Sequence, residues 1–429
     1  MRIRGRVDRA EPRRIEELTH TELAALAREY LLAGQMIDRA GMPHLIGAYG
    51  RDEMRDIAID EWMGASPVYT RRMQRALGFE GDDVATMFKG MQLDVGAPPE
   101  FMDFRYRVID RDHGEFWLNH CGALVDVEPM GDDYVVAMCH HIEDPTFEAT
   151  ACASNPRARM SPVHRPPRVP EDRHPHCHWT VEIDHDAEPL AEPVPVARVA
   201  SSRAATVLVE PFGRDDGDDR GWSDYSGDLD PDMRTDDFSR RALSLITQEA
   251  ALQGHLLAIS FLAAVEDRHG ILVATDVGAR QFRGVAGLVA ERLVREFEIP
   301  ATLLGLVQVF ELHPAFHPRS YVDWRVETVG QVVRIAVAEC PATAEVARVS
   351  WIGLLCGESD DALQAIASAV DPRAEVHTAV RRSDEAAAWE VSVGGAFQHV
   401  HPDVTLTKFS SGAAFEFTRI GRRFDTDGA

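Results

Sequence analysis

Two stretches of this 429-residue chain pass through similar short motifs in the same order, and any fold must accommodate both. In the first, Phe104-Arg105-Tyr106-Arg107-Val108 is followed by Cys121, by Asn155-Pro156-Arg157-Ala158 and by Trp179-Thr180-Val181-Glu182-Ile183. In the second, Asp323-Trp324-Arg325-Val326 leads to Cys340, to Asp371-Pro372-Arg373-Ala374 and to Trp389-Glu390-Val391-Ser392-Val393. Matching order at similar spacing points to an ancient duplication; the alternative is chance similarity between α+β segments.

Each half opens with helical patterns and turns later to strand-like alternation. In the first half helices are expected over residues 21–39, 52–63, 66–77 and 82–93, with Ser66-Pro67 interrupting the middle pair. Thr19 and Glu22 have the spacing of a capping box. In the second half helices are expected over residues 237–266 and 279–296. The length suffices for two or three domains, each with an adequate core. The expected class is therefore α+β, with two similar tandem domains, each having N-terminal helices followed by an antiparallel sheet. The first covers residues 1–198, the second 238–429, and residues 199–237 are an acidic linker region. From Gly213 to Asp237 that region is dense in Asp and Gly and suits a solvated connection. It lacks the terminal Glu and the Asp-x-Asp-x-Asp-Gly register of a calcium loop.

The formal charge of −25 argues against a general nucleic-acid binder, because phosphate contact needs clustered Lys and Arg. Met1 to Val7 is basic without the apolar segment of a secretory signal, and the longest apolar run, residues 256–265, is far short of the roughly 20 residues that span a bilayer. The expectation is a cytoplasmic protein with no membrane partner, whose six cysteines are thiols or ligands rather than a disulfide framework.

Nine of the 18 histidines and four of the six cysteines fall between His113 and His185. Thiolate and imidazole bind zinc, iron or copper, so this enrichment points to a metal or redox site, although no CxxC pair exists. Met138-Cys139-His140-His141 follows an apolar run, residues 134–137, that is expected to be a strand. In an extended chain Cys139 and His141 would share a face, with His140 opposite. At His176-Cys177-His178, alternation puts Cys177 and Trp179 on one face and the two histidines on the other. The corresponding place in the second half is Ala386-Ala387-Ala388, and nothing there resembles Cys139-His140-His141. The first half is thus the expected catalytic one and the second a degenerate relative. The plainer reading is buried structural cysteines flanked by surface histidines. Cys121, on an apolar strand over residues 116–124, suits packing as well as ligation, and Cys152 between two alanines suits packing.

These residues carry a family resemblance. An early helical segment (Leu45 to Gly50 through Ile59 to Trp62), spaced cysteines and a closing strand, Cys177-His178-Trp179-Thr180-Val181, resemble the L-2-amino-thiazoline-4-carboxylate hydrolase-like family and the related 4-vinyl-reductase-like ligand-binding domains. The resemblance covers residues 20–185 and, more loosely, 238–395. It implies the fold and the cysteine positions but no particular reaction, since such families include hydrolases, tetrapyrrole-associated proteins and sensors. The insertion from His164 to Arg173 departs from their pattern.

The expected site has Cys121, Cys139, His141, His176 and Cys177 as ligands to zinc or iron. Glu143, Asp144 and His140 would act as acid, base or orienting groups. Without a metal, a cysteine beside His141 or His176 would be a nucleophile. Arg165 and Arg168, spaced by Pro166-Pro167, would clamp an anionic group at a pocket rim, unless they are ordinary surface arginines. Asp60 and Glu61 beside Trp62 could reach a pocket, with a polar helix face as the default. There is no GxSxG, P-loop or GxGxxG motif. The expected function is a metal- or thiolate-dependent hydrolase or lyase acting on a small anionic organic molecule. The alternatives are a non-catalytic small-molecule or tetrapyrrole-binding sensor and a structural zinc protein. The expected partner is a small-molecule substrate, with homo-oligomerisation left open.

Overall fold

The computed structural model describes residues 12–212, 220–357 and 360–418. The first half begins with two long helices, α1 (His20–Tyr49) and α2 (Arg51–Leu77), then α3 (Val84–Gln92). Strands β1 (Met102–Val108) and β2 (His113–Cys121) follow, then α4 (Gly122–Val127), α5 (Asp132–Val136), a π-helical turn (Ala137–Ile142) and α6 (Glu143–Cys152). Strands β3 (Ala158–His164) and β4 (Cys177–Ile183) complete the sheet, and α7 (Val194–Ala200) and α8 (Arg203–Thr206) lead out. The second half has α9 (Arg240–His269), α10 (Ile271–Glu296), α11 (Leu303–Leu312), β5 (Trp324–Val329) and β6 (Val332–Ala338). It ends with α12 (Trp351–Gly357), α13 (Asp361–Val370), β7 (Ala374–Thr378), β8 (Glu385–Val393) and α14 (Pro402–Thr407).

The chain is α+β, with two four-stranded antiparallel sheets of order β1-β2-β4-β3 and β5-β6-β8-β7. Phe116 lies opposite Trp179 in one sheet, and Ile335 lies opposite Trp389 in the other. Leu118 faces Cys177 where Val337 faces Ala387.

Helix α1 starts where the capping box predicts: Glu22 N donates to the Thr19 hydroxyl, and Thr19 N donates to the Glu22 carboxylate at 2.9 Å. It then runs past residue 39 to Tyr49, through Pro43. Ser66-Pro67 does not interrupt α2 either, which is continuous and buries both residues. Proline forfeits one helical hydrogen bond, but packing along a buried face outweighs it. Gly50 at φ 89° turns α1 into α2, and Gly270 at φ 83° turns α9 into α10, a conformation that glycine adopts at little cost.

The four long helices form a bundle in which α9 packs on α1 and α2, and α10 packs on α1. Two buried bidentate ion pairs tie it together. Arg72 donates to Glu249 through Nε and Nη2, both at 2.9 Å, and Arg292 donates to Glu29 at 2.7 and 2.9 Å. Each pair joins one half to the other, and the buried apolar residues form one cluster across both. The acidic region is partly packed. Residues 213–219 lie outside the described residues, but Tyr225, Asp236 and Asp237 are buried and Tyr225 stacks on Trp222. Among the described residues no helix is long and apolar enough to cross a membrane.

The strand expected over residues 134–137 is absent. Those residues are helical, because Asp132 and Asp133 sit in the first turn of α5, where acidic groups complement the helix dipole. Strand β2 ends at Cys121, whose Sγ caps α4 by accepting from Leu124 N at 3.3 Å.

Candidate functional site

A cavity of about 570 Å³ lies in the first half, bounded by α1, α2, the first sheet and the segment from α4 to α6. Its volume is in the range of small-molecule sites. Seven of the chain's 13 methionines line it (Met42, Met54, Met91, Met102, Met130, Met138 and Met160), together with Trp62, Tyr69, Phe104 and Phe147. Thioether side chains adjust to ligand shape, so this wall suits a largely apolar molecule. Met130, Leu406 and Phe409 also line it and are 43%, 40% and 41% exposed, which puts an apolar rim at its mouth.

Against this apolar wall stand buried carboxyl groups. Asp38 of α1 lines the cavity at 6% exposure, and its Oδ2 accepts from Trp62 Nε1 at 3.0 Å. Behind it Glu61 of α2 is fully buried, and neither of its oxygens meets a nitrogen or hydroxyl donor. Its hydrogen-bonding neighbour is Asp38, and two carboxyls bond only when one holds a proton. Burial, reinforced by the Asp38 charge, pushes Glu61 well above the usual carboxylate range, so Glu61 donates and Asp38 accepts. Asp94 follows α3 and accepts from the Tyr69 hydroxyl at 2.8 Å and from Gly96 N at 2.7 Å. Burial nevertheless raises Asp94 to about 6. Glu143, at the start of α6, lines the cavity; its buried Oε2 has no hydrogen-bond partner among the described residues, and burial raises its carboxyl to about 8. Arg39 is the sole basic residue among the described cavity-lining residues. It is shared between Asp126, at 3.4 Å, and Asp38, at 3.8 Å.

The expected site residues divide around this cavity. Cys121, Cys139 and Cys177 are buried free thiols, close enough to Glu143 that its charge adds to the effect of burial in raising all three; Cys121 rises to about 12. These conditions disfavour thiolate, opposite to what a nucleophilic cysteine needs. The π-helical turn places Cys139 inward and His141 in solvent, so the two do not share a face as an extended chain would require. His140 Nε2 is held by the Pro166 carbonyl at 2.7 Å. His176 is buried, its Nδ1 accepting from Cys121 N at 3.2 Å, and burial beside Arg168 lowers it to about 4. The alternation of β4 is as expected: Cys177 and Trp179 are buried, while His178 pairs with Glu115 at 3.1 Å on the other face.

Asp144 is paired with Arg165, which also lies over the Trp179 ring, and Arg168 forms a bidentate pair with Glu128 at 2.8 and 2.9 Å. Both arginines are thus engaged with carboxylates rather than free as clamps. Among the described residues no group of three His, Cys, Asp or Glu side chains is arranged to hold a metal ion.

Asp38, Asp94 and Tyr69 are site residues that sequence reasoning missed. The available signal was an ionic Asp38-Arg39 step inside an apolar helix, and the Glu61-Trp62 step that was assigned to a polar face.

A constant offset aligns several residues of the long helices of the two halves. The offset that relates Gly50 to Gly270, Glu29 to Glu249 and Arg72 to Arg292 places Asp38 on Ala258, Glu61 on Gln281 and Trp62 on Phe282. There Trp351 stacks on Phe282 with ring centroids 4.9 Å apart and donates its Nε1 proton to Gln281 Oε1 at 3.2 Å. A small space of about 20 Å³ beside Trp351 is lined by α1 together with α9 and α10. No known protein family, curated protein or solved structure matches the chain, so the resemblance rests on the residues quoted for it.

Proposed function

We propose that this chain binds a small, largely apolar organic molecule in the cavity of its first half, and that its second half is a related copy whose cavity has closed. The observation that carries the reading is the pairing of a 570 Å³ methionine- and aromatic-lined space with carboxyl groups buried beyond what their neighbours satisfy. Such groups are costly in an apolar wall, and they cluster where a protein binds or transforms a ligand. Supporting it further, the acidic groups Asp38 and Glu61 and the open space are absent together where Ala258, Gln281 and Trp351 stand. The buried Asp38–Glu61 pair and Glu143 also offer a proton donor and acceptor to a bound molecule.

The test is thermal denaturation with a neutral apolar probe, phenylbutanol. The parent should be stabilised in proportion to the logarithm of probe concentration. Ala58→Phe, which projects a ring into the cavity, should abolish that shift while its circular dichroism stays native. A parent protein with no shift at saturating probe would sink the reading.

A second reading is metal- or thiolate-assisted hydrolase or lyase chemistry in the same half. The approach of Cys121, Cys139 and Cys177 to Glu143 favours it. Metal analysis of the purified chain for zinc and iron, repeated on Cys139→Ala, tests it; a parent protein free of both removes the metal branch.

A further inference from the structure

We propose that the ligand of this cavity carries a cationic amino group on an apolar body, and that Asp38 and Asp94, with Glu61 behind Asp38, form the seat for that group. The inference rests on the cavity being a binding site and adds the chemical class of its occupant. The carboxyls converge around Trp62: its Nε1 donates to Asp38 at 3.0 Å, and its ring edge lies against Gly96, whose N donates to Asp94 at 2.7 Å. Tyr69, hydrogen-bonded to Asp94 at 2.8 Å, closes the same place. The charged and titratable groups facing that place are few. Helix α1 supplies Asp38 and Arg39, α2 supplies Glu61 and Tyr69, the turn after α3 supplies Asp94, β1 supplies Tyr106, and α4 supplies Asp126.

Arg39 neutralises one carboxylate at most, and Asp126, which also accepts from Ser411 N and Oγ at 2.7 Å, holds it at 3.4 Å. The seat is therefore short of positive charge by at least one unit whenever Asp38 and Asp94 are ionised. Burial holds these carboxyls above their usual range, so that without a cation protons meet that shortage. An ammonium ion meets it better, because it pairs with the carboxylates and can lie against the rings of Trp62 and Tyr69. An anionic occupant would meet the buried carboxyls of Asp38, Asp94 and Glu143 and one guanidinium that is already shared. In the second half Ala258 and Gln281 remove the charge, and the space is filled by a neutral indole.

The test is isothermal titration calorimetry on the full chain with three probes of one shape: phenylbutylamine, phenylbutanol and phenylbutyrate. The amine stays protonated through neutral pH, since its pKa is near that of a lysine, about 10. It should bind at least about tenfold more tightly than the alcohol, with phenylbutyrate weakest. Ionising the seat must expel protons, so the amine's heat should vary with the ionisation enthalpy of the buffer. Its affinity should rise as pH climbs through about 6, where Asp94 ionises, while that of the alcohol stays level. Asp38→Asn should lower amine affinity at least about tenfold and leave the alcohol unchanged. Should that variant fail to fold, proton release by the parent decides. Amine binding without proton release, or an alcohol that binds equally well, overturns the cation seat and leaves the cavity as a neutral site. Failure of all three probes to bind overturns the cavity reading and this inference with it.

Discussion

Glu143 gives the electrostatics of the cavity a direct thermodynamic signature. Burial lifts its carboxyl from the ordinary 4.5 to about 8. At neutral pH the folded chain keeps it protonated while the unfolded chain ionises it, so folding takes up a proton. Its contribution to stability is therefore fully present below the unfolded value and is lost as pH rises through the folded value. Glu143→Gln preserves the side chain's shape and removes the titration. With these two values, stability should shift in the variant's favour by ~3.5 kcal/mol between about pH 5 and pH 8, and then level off. Urea denaturation of parent and variant across that range, analysed at a common m-value, measures the shift. A difference that stays constant to within about 1 kcal/mol would refute the claim that this carboxyl is buried and neutral beside the thiols.

The remaining predictions concern the frame around the cavity. Arg292→Met leaves Glu29 buried without its partner and should cost ~3–5 kcal/mol in urea denaturation; a loss below about 1 kcal/mol would mean that the pair is not closed in solution. In native protein Cys121, Cys139 and Cys177 should react with iodoacetamide far more slowly than the half-buried Cys152, Cys340 and Cys356, as mass spectrometry of partly labelled protein would read. Early labelling of Cys139 would contradict its placement. Trp351→Ala empties the plug of the second half and should cost ~3–5 kcal/mol. Retention of full stability would show that Trp351 does not fill that space.

Much of the scaffold is legible in the residues. Thr19 and Glu22 mark the start of α1, the apolar spacing of residues 279–296 marks α10, and period-two alternation correctly places Cys177 and Trp179 on one face. Errors cluster where a local rule competes with burial. Ser66-Pro67 reads as a break, yet Pro67 sits inside α2, whose buried face supplies more stability than one backbone hydrogen bond. Residues 134–137 read as strand because a short apolar run has no period of its own, and the acidic first turn of α5 settles it as helix. Concentration of Cys and His drew attention to the half whose residues line most of the cavity. It missed the cavity because methionines and single carboxylates scattered over α1, α2, α3, α6, β1, β3 and the turns between them meet only in three dimensions. The Arg72–Glu249 and Arg292–Glu29 pairs were hidden for the same reason: their partners lie in opposite halves of the chain.

The central claim is that one half of this chain is open to a small molecule and the other is closed. Native mass spectrometry with phenylbutylamine and phenylbutanol counts bound molecules directly. The account predicts a ceiling of one ligand per chain, lost in Ala58→Phe and unaffected by substitutions around Ala258. Two ligands per chain, or one that survives Ala58→Phe, would contradict it.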